Sequence, residues 1–267
     1  MHESSPGPTP EQLYYENEAL WALDLESDPD ERARFDLVTG LLPQGLQSIL
    51  DVGCGNGAFV NRLAGKYARV CGVDRSEAAL RFVRVEKQRA SADRLPFSEG
   101  EFDLVSCMEV LEHLPCDIYD QARRELARVA SKWILISVPY RENRRLGLVR
   151  CPKCLCEFNR SYHLREFDES TLKVLFDEID PKLELVTFRT VGRNPRYLGL
   201  RTARKLLEPF RSITLPAGVV CPQCGYHRPV QGSSGVRCRR ESGLLGRARN
   251  LWPHVNQPRW AVALYQR

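Results

Sequence analysis

Residues 48–57 join a short apolar run to three closely spaced glycines. Ser48-Ile49-Leu50-Asp51-Val52 has the length and composition of a buried strand. It breaks into Gly53-Cys54-Gly55-Asn56-Gly57 before Ala58 to Lys66 resumes a helical pattern. Glycines at such a junction let the chain turn sharply and bring its backbone against a ligand. A Gly-x-Gly-x-Gly string alone is a weak signal, because a plain tight strand-to-helix turn would use the same residues. It gains force from Asp74, which ends the next strand-like run, Arg69-Val70-Cys71-Gly72-Val73-Asp74. Asp74 is placed there to accept hydrogen bonds from ribose hydroxyls; the blander alternative is a strand-end carboxylate capping the next helix. The spacing differs from the dinucleotide G-x-G-x-x-G, and no Gly-Lys-Ser/Thr phosphate loop occurs, which disfavours dinucleotide and triphosphate chemistry.

The rest of the chain alternates. Leu13 to Leu25 carries Leu13, Tyr14, Leu20, Trp21 and Leu25 in an amphipathic helical pattern. Asp28-Pro29 reads as a cap with proline at the first helical position, opening a helix that ends near Leu42-Pro43. Ser76 caps a short helix through Phe82, and Val85 to Ser91 is the poorest strand candidate. Phe102 to Cys107 is a strand, Ile118 to Ala130 a helix, and Trp133 to Val138 a strand stopped by Pro139. A helix capped by Asp168 runs to about Ile179, Leu183 to Phe188 is strand-like, and Trp260 to Tyr265 forms a final strand. Such alternation predicts a mostly parallel sheet covered on both faces. The expected organisation is a tail over 1–12, a helical cap over 13–45, a core over 46–191 and 260–267, and insertions over 141–164 and 192–259.

Composition narrows the class. The chain has 267 residues, 43% hydrophobic and 27% charged, as an ordinary globular protein does. No apolar run approaches the ~20 residues that span a bilayer, and the opening residues have neither a basic start nor an apolar stretch. The chain is therefore expected to be unsecreted and cytoplasmic. Its net charge of +5 and pI near 8.7 fall short of a dedicated nucleic-acid-binding domain, whose pI exceeds about 9.

The ten cysteines include two Cys-x-x-Cys pairs, Cys151-Pro152-Lys153-Cys154 and Cys221-Pro222-Gln223-Cys224. Each alone is ambiguous with a redox motif; together they make a complete, closed and therefore structural four-cysteine zinc site. The alternatives are free thiols, or use of Cys156, Cys238 or His163 as a ligand. Cys54, Cys71 and Cys107 lie in or beside core strands as small buried hydrophobes. Arginines gather in the second insertion, from Arg193, Arg196, Arg201 and Arg204 to Arg237, Arg239, Arg240, Arg247 and Arg249. They suit phosphate on RNA, a nucleotide-linked sugar or a lipid carrier, but the plainer reading is a solvated face, since aromatics are not regularly interleaved.

The strings Ile49 to Gly57, Ser91-Ala92-Asp93-Arg94-Leu95-Pro96-Phe97, Phe102-Asp103-Leu104-Val105 and Glu109-Val110-Leu111-Glu112-His113-Leu114, with Asp74, resemble the successive motifs of class I S-adenosylmethionine-dependent methyltransferases. Their order and spacing are similar to the ubiquinone-biosynthesis-type subgroup. The likeness covers residues 46 to 140 well, and Tyr162 to Asp168 resembles the entry to the next helix. It implies an α/β Rossmann-like fold with a mostly parallel seven-stranded sheet, an antiparallel last strand and Cys-rich insertions. With that last strand, both insertions would emerge from the same sheet edge and form a zinc-stapled lid near the acceptor.

Carried over by position, the likeness implies that Asp51, Gly53, Cys54, Gly55 and Gly57 surround the methionine part of the donor. Asp74 with Arg75 would hold the ribose, Ser91, Ala92 and Asp93 would edge the adenine, and Met108 and Glu109 would lie beneath. Many relatives have Asp where this chain has Ser91, so Ser91, backbone groups and Asp93 all remain candidates for the adenine amine.

Methyl transfer from a sulfonium needs alignment and, where the acceptor carries a proton, a base from loops at the carboxyl ends of the strands. His163 and His113 are the candidate bases; otherwise His163 is a packing or metal-binding loop residue and His113 a structural one. The expected function is methylation of an O or N atom of a small-molecule or glycoconjugate acceptor. An RNA methyltransferase and a non-catalytic cofactor-binding protein are the rivals, and oligomeric state is open.

Overall fold

The computed structural model describes residues 9–197, 215–216, 218–228 and 254–267. Its strands are β1 (Ser48–Val52), β2 (Arg69–Asp74), β3 (Glu86–Arg89), β4 (Phe102–Met108), β5 (Ala130–Pro139), β6 (Leu148–Arg150), β7 (Glu157–Asn159), β8 (Glu184–Val191), β9 (Asn194–Tyr197), β10 (His254–Gln257) and β11 (Trp260–Gln266). Its helices are α1 (Pro10–Tyr15), α2 (Glu18–Trp21), α3 (Pro29–Gly40), α4 (Ala58–Leu63), α5 (Glu77–Leu80), α6 (Cys116–Val129) and α7 (Glu169–Lys173). One seven-stranded sheet has the order β3-β2-β1-β4-β5-β11-β8. Pairs from β3 through β5 are parallel, and β11 runs antiparallel to both its neighbours.

The central strands are apolar on both sides, and their period of two sorts the core into two layers. Leu50, Val105, Ile134, Ile136, Ala261 and Ala263 pack with Leu126 of α6 and Leu172 of α7. Ile49, Leu104, Leu135, Val262 and Leu264 pack with Phe35 and Val38 of α3 and Phe59 and Val60 of α4. Strand β3, the weakest of the sequence expectations, is present as an exposed, charged edge strand, which suits the end of a sheet.

Two elements differ from expectation. The stretch 13–25 is not one helix: α1 begins at Pro10, inside the expected tail, with Thr9 and Gln12 forming a capping box, and Asn17 caps α2 separately. A three-residue helical turn, Leu25–Ser27, follows, and Asp28 caps α3 as expected. The helix after Asp168 stops at Lys173; there the Arg123 guanidinium takes the Leu175 carbonyl at 2.6 Å, and the chain closes in tight turns.

Both insertions leave one edge of the sheet, because Trp260 at the start of β11 pairs with Pro139 at the end of β5 and Val191 at the end of β8. The first carries the β6–β7 hairpin, and the second opens on the β9–β10 ribbon. Cys238 and the expected arginine cluster from Arg201 to Arg249 lie outside the described residues.

Candidate active site

The turn after β1 is held in left-handed backbone at Gly53 (φ 75°), Gly55 (φ 52°) and Gly57 (φ 76°), a region that side chains disfavour. A Cβ on Gly53 would meet Val110 Cγ2 at 2.2 Å. The Gly53 and Cys54 N–H groups donate to the Val73 carbonyl at 2.7 and 2.9 Å, so β2 fixes the turn. Asp74 accepts from the Gly55 N–H at 2.9 Å and the Ser76 N–H at 2.8 Å. Its carboxylate therefore braces the next turn, and Asp74 also lines the cavity.

That cavity, about 340 Å³, opens at the carboxyl ends of β1, β2 and β4, where ligands bind in open α/β sheets. Asp51, Gly53, Cys54, Gly55, Asp74, Arg75, Ser91, Ala92, Met108 and Glu109 all line it. Gly57 and Asp93 do not appear on its wall. Gly57 instead caps α4, and Asp93 accepts the Ser91 hydroxyl.

Sequence reasoning missed the side that closes the cavity. Tyr15 and Trp21, stacked with ring centroids 6.3 Å apart, cover the glycine turn, and a Cβ on Gly55 would touch Trp21 at 2.9 Å. Asn56 donates to the Trp21 and Leu23 carbonyls at 2.9 and 3.0 Å, while Ser76 donates to the Tyr15 carbonyl at 2.8 Å. Arg75 lies over the Tyr15 ring at 4.7 Å. Trp21 was legible as part of an apolar stripe and Tyr15 was not, and nothing local tells which loop that stripe covers.

Two acids, the buried Asp51 and the partly buried Glu109, set the field. Asp51 accepts from the Ser106 hydroxyl at 2.6 Å, yet burial outweighs that bond and the nearby Arg34, pushing its carboxyl up to about 7. Glu109, in left-handed backbone at φ 57°, accepts from the Trp260 indole at 2.8 Å and faces Arg34 at 3.6 Å. Burial still raises its pKa. Arg34, the missed cation, is anchored on Glu31 at 2.6 Å and lies over Trp260 at 4.8 Å.

A second cavity, about 470 Å³, shares His113 and Pro115 with the first. Leu148, Phe158 and Leu164 give it apolar walls, Arg144, Arg145, Glu157 and Glu166 a rim of mixed charge, and His163 stands inside. The His113 and His163 rings meet edge to face at 4.8 Å. Glu142, absent from the sequence expectations, bonds His163 Nδ1, which orients the ring; among the described residues Nε2 has no hydrogen bond. Burial, with His163 and Arg75 close by, drives His113 down to about 3, so it is a neutral imidazole. Glu112, 1% exposed, holds no side-chain hydrogen bond among the described residues, and burial pushes its pKa far up.

The four expected metal cysteines meet. Cys151 and Cys224 sulfurs are 3.6 Å apart, as are those of Cys154 and Cys221, and all four lie within 4.8 Å of one another. Tetrahedral thiolates at about 2.3 Å from zinc stand about 3.8 Å apart, whereas a disulfide would require about 2.05 Å, so the donor set fits zinc. Burial opposes a Cys151 thiolate, but the Cys154 and Lys153 backbone N–H groups, with the Cys221 and Cys224 thiols, lower its pKa, while burial and the same cluster raise that of Cys154, so the four sulfurs share their protons unevenly. Cys156 and His163 stand outside the four-sulfur group. The described cysteines are all free thiols.

Residues 50–132 match the family model described as a methyltransferase domain. The chain is similar to the ubiquinone biosynthesis O-methyltransferase of Albidiferax ferrireducens, 34% identical over 109 residues that cover 36% of this chain and 43% of that protein. It is also similar to the enzyme of the same name from Thiobacillus denitrificans, 42% identical over 83 residues covering 27% and 36%. The chain thus spans less than half the length of these curated relatives. Among solved structures, YcgJ of Bacillus subtilis aligns with TM-score 0.51 at 16% identity, covering 87% of this chain and 96% of that one. An S-adenosylmethionine-dependent methyltransferase of Methanosarcina mazei aligns with TM-score 0.50 at 17% identity, covering 86% and 96%. The fold is the Rossmann-like class I methyltransferase fold, and the segment that carries the glycine turn matches a methyltransferase domain.

Proposed function

We propose that this protein transfers a methyl group from S-adenosylmethionine to an O or N atom of a small-molecule or glycoconjugate acceptor. The observation that carries this reading is the wall of His113 and Pro115 shared by the two cavities, since donor and acceptor must meet for a single displacement. Asp51 would face the donor's amino-acid part, Asp74 its ribose, and Ser91 and Ala92 its adenine. The donor, when bound, supplies the methyl group and the sulfide leaving group.

His163 is the base in this reading. Glu142 keeps the proton on Nδ1, so Nε2 can accept one from an acceptor hydroxyl or amine. His113, with its pKa near 3, is a poor proton acceptor and acts as a packed, neutral wall between the cavities. The apolar walls and mixed-charge rim of the second cavity suit a small molecule or a glycoconjugate. Zinc at Cys151, Cys154, Cys221 and Cys224 would be structural, and its reduced thiolates fit a cytoplasmic setting. No helix among the described residues is long and apolar enough to cross a membrane.

Calorimetry with S-adenosylhomocysteine tests the donor site: the wild type should bind and Asp74→Ala should lose at least about tenfold in affinity, as for a lost charge-assisted contact. A wild type that does not bind refutes the proposal. With an acceptor found by screening for S-adenosylhomocysteine release, His163→Ala should lower kcat by about 10²- to 10⁴-fold without weakening donor binding.

A further inference from the structure

We propose that metal at the four cysteines sets the acceptor side of the site through Tyr162, a positioning residue, and leaves the donor side unchanged. This rests on the reading of the second cavity as the acceptor site.

The Tyr162 hydroxyl makes two hydrogen bonds to one residue of the second knuckle: it donates to the Val220 carbonyl at 2.7 Å and accepts from the Val220 N–H at 2.9 Å. Val220 immediately precedes Cys221. On the first knuckle's side, the Tyr162 ring stacks on Phe158 with centroids 5.9 Å apart and planes 11° apart. One side chain thus spans both halves of the cysteine module, and His163 is the next residue in the chain. Tyr162 itself sits at φ 58°, a left-handed conformation that an aromatic residue holds only when its surroundings enforce it.

The two sides of His163 are anchored differently. Beyond it, the Leu164 N–H donates to the Glu112 carbonyl at 2.7 Å, a bond to the methyltransferase core. Before it, Tyr162 is tied to a knuckle whose partner sulfurs lie 67 and 73 residues away in sequence. The module supplies the cavity wall as well, through Phe158 from one knuckle and Pro222 from the other. Without the ion, only the thiols, the two Tyr162–Val220 bonds and a small apolar cluster around Leu215 are left among the described residues to hold these segments together, and closing so long a loop costs chain entropy. The donor cavity takes no lining residue from the knuckles, although the Tyr162 ring meets Tyr14, next to the Tyr15 cover, edge to face at 5.0 Å. Metal loss should therefore release Tyr162, the Nδ1 bond of His163 and the acceptor wall, while the glycine turn stays as it is.

The experiment compares metal-loaded protein, protein stripped with 1,10-phenanthroline under reducing conditions, and the metal-loaded Tyr162→Phe variant, which keeps the ring but loses both Val220 bonds. Three readouts are taken: histidine side-chain ¹⁵N spectra, diethyl pyrocarbonate labelling mapped to His163, and S-adenosylhomocysteine binding by calorimetry. In loaded wild type, His163, whose side chain is 11% exposed, should show a single Nδ1–H tautomer and slow labelling. Stripped protein and Tyr162→Phe should both show averaged tautomers and labelling about tenfold faster, with donor affinity within about twofold of wild type, as for a local opening. Tyr162→Phe should retain its metal. Unchanged His163 spectra and labelling after stripping or in Tyr162→Phe overturn the proposal, as does donor affinity lost in step with metal or a protein that holds no metal. Failure of loaded wild type to bind S-adenosylhomocysteine would instead sink the methyltransferase reading, because the His163 readouts need no donor.

Discussion

Gly53 shows how much one backbone atom decides. Its φ of 75° and the 2.2 Å approach of Val110 leave no room for a Cβ. Gly53→Ala should destabilise the fold by about 2–4 kcal/mol, from overpacking and left-handed strain together. Urea unfolding measures it, and a change within error of zero would show that the turn relaxes freely. Asp51 makes a pH prediction. Its carboxyl rises from 3.8 to about 7 in the fold, so between those values the native state holds a proton that the unfolded chain has released. The contribution of this group to stability is therefore present at low pH and lost as pH rises through 7. Asp51→Asn should gain stability relative to wild type between pH 5 and pH 8; a constant difference across that range contradicts the assignment. The spacing of Gly53, Gly55 and Asp74 was legible because backbone sterics act locally. Arg34 and Glu142 were not, because their partners Glu109 and His163 lie 75 and 21 residues away.

At the scale of elements, the strands were read well because burial on both faces of a parallel sheet leaves continuous apolar runs. The N-terminal stretch was misread as one helix, since caps at Thr9, Asn17 and Asp24 compete with an apolar periodicity that alone favours continuity. The outcome is a bent cover whose Tyr15 and Trp21 close the cavity at the glycine turn, the proposed donor site. Trp21→Ala, which removes a stacked aromatic wall, should weaken S-adenosylhomocysteine binding by about three- to tenfold while leaving thermal stability nearly unchanged. Equal affinities in calorimetry would mean that the cover plays no part in donor binding.

For the whole molecule, the cysteine module joins two insertions that leave the same sheet edge and are remote in sequence. Purified protein should contain about one zinc per chain. Cys221→Ser should lower that content, and limited proteolysis of the variant should cut within 148–164 and 215–228 before the sheet. Simultaneous loss of the sheet would indicate that the module and core fold as one unit.

The order of strands and helices, the glycine turn and the four cysteines follow from the sequence itself, because hydrophobic periodicity, glycine stereochemistry and thiolate coordination are written in residue type and spacing. Which surfaces meet is decided only in three dimensions. The cover of Tyr15 and Trp21 over the turn, the pairing of Glu142 with His163, and the bridge from Tyr162 to Val220 each join segments whose proximity depends on the packed sheet. No local pattern encodes that proximity, since it is the sum of many long-range contacts.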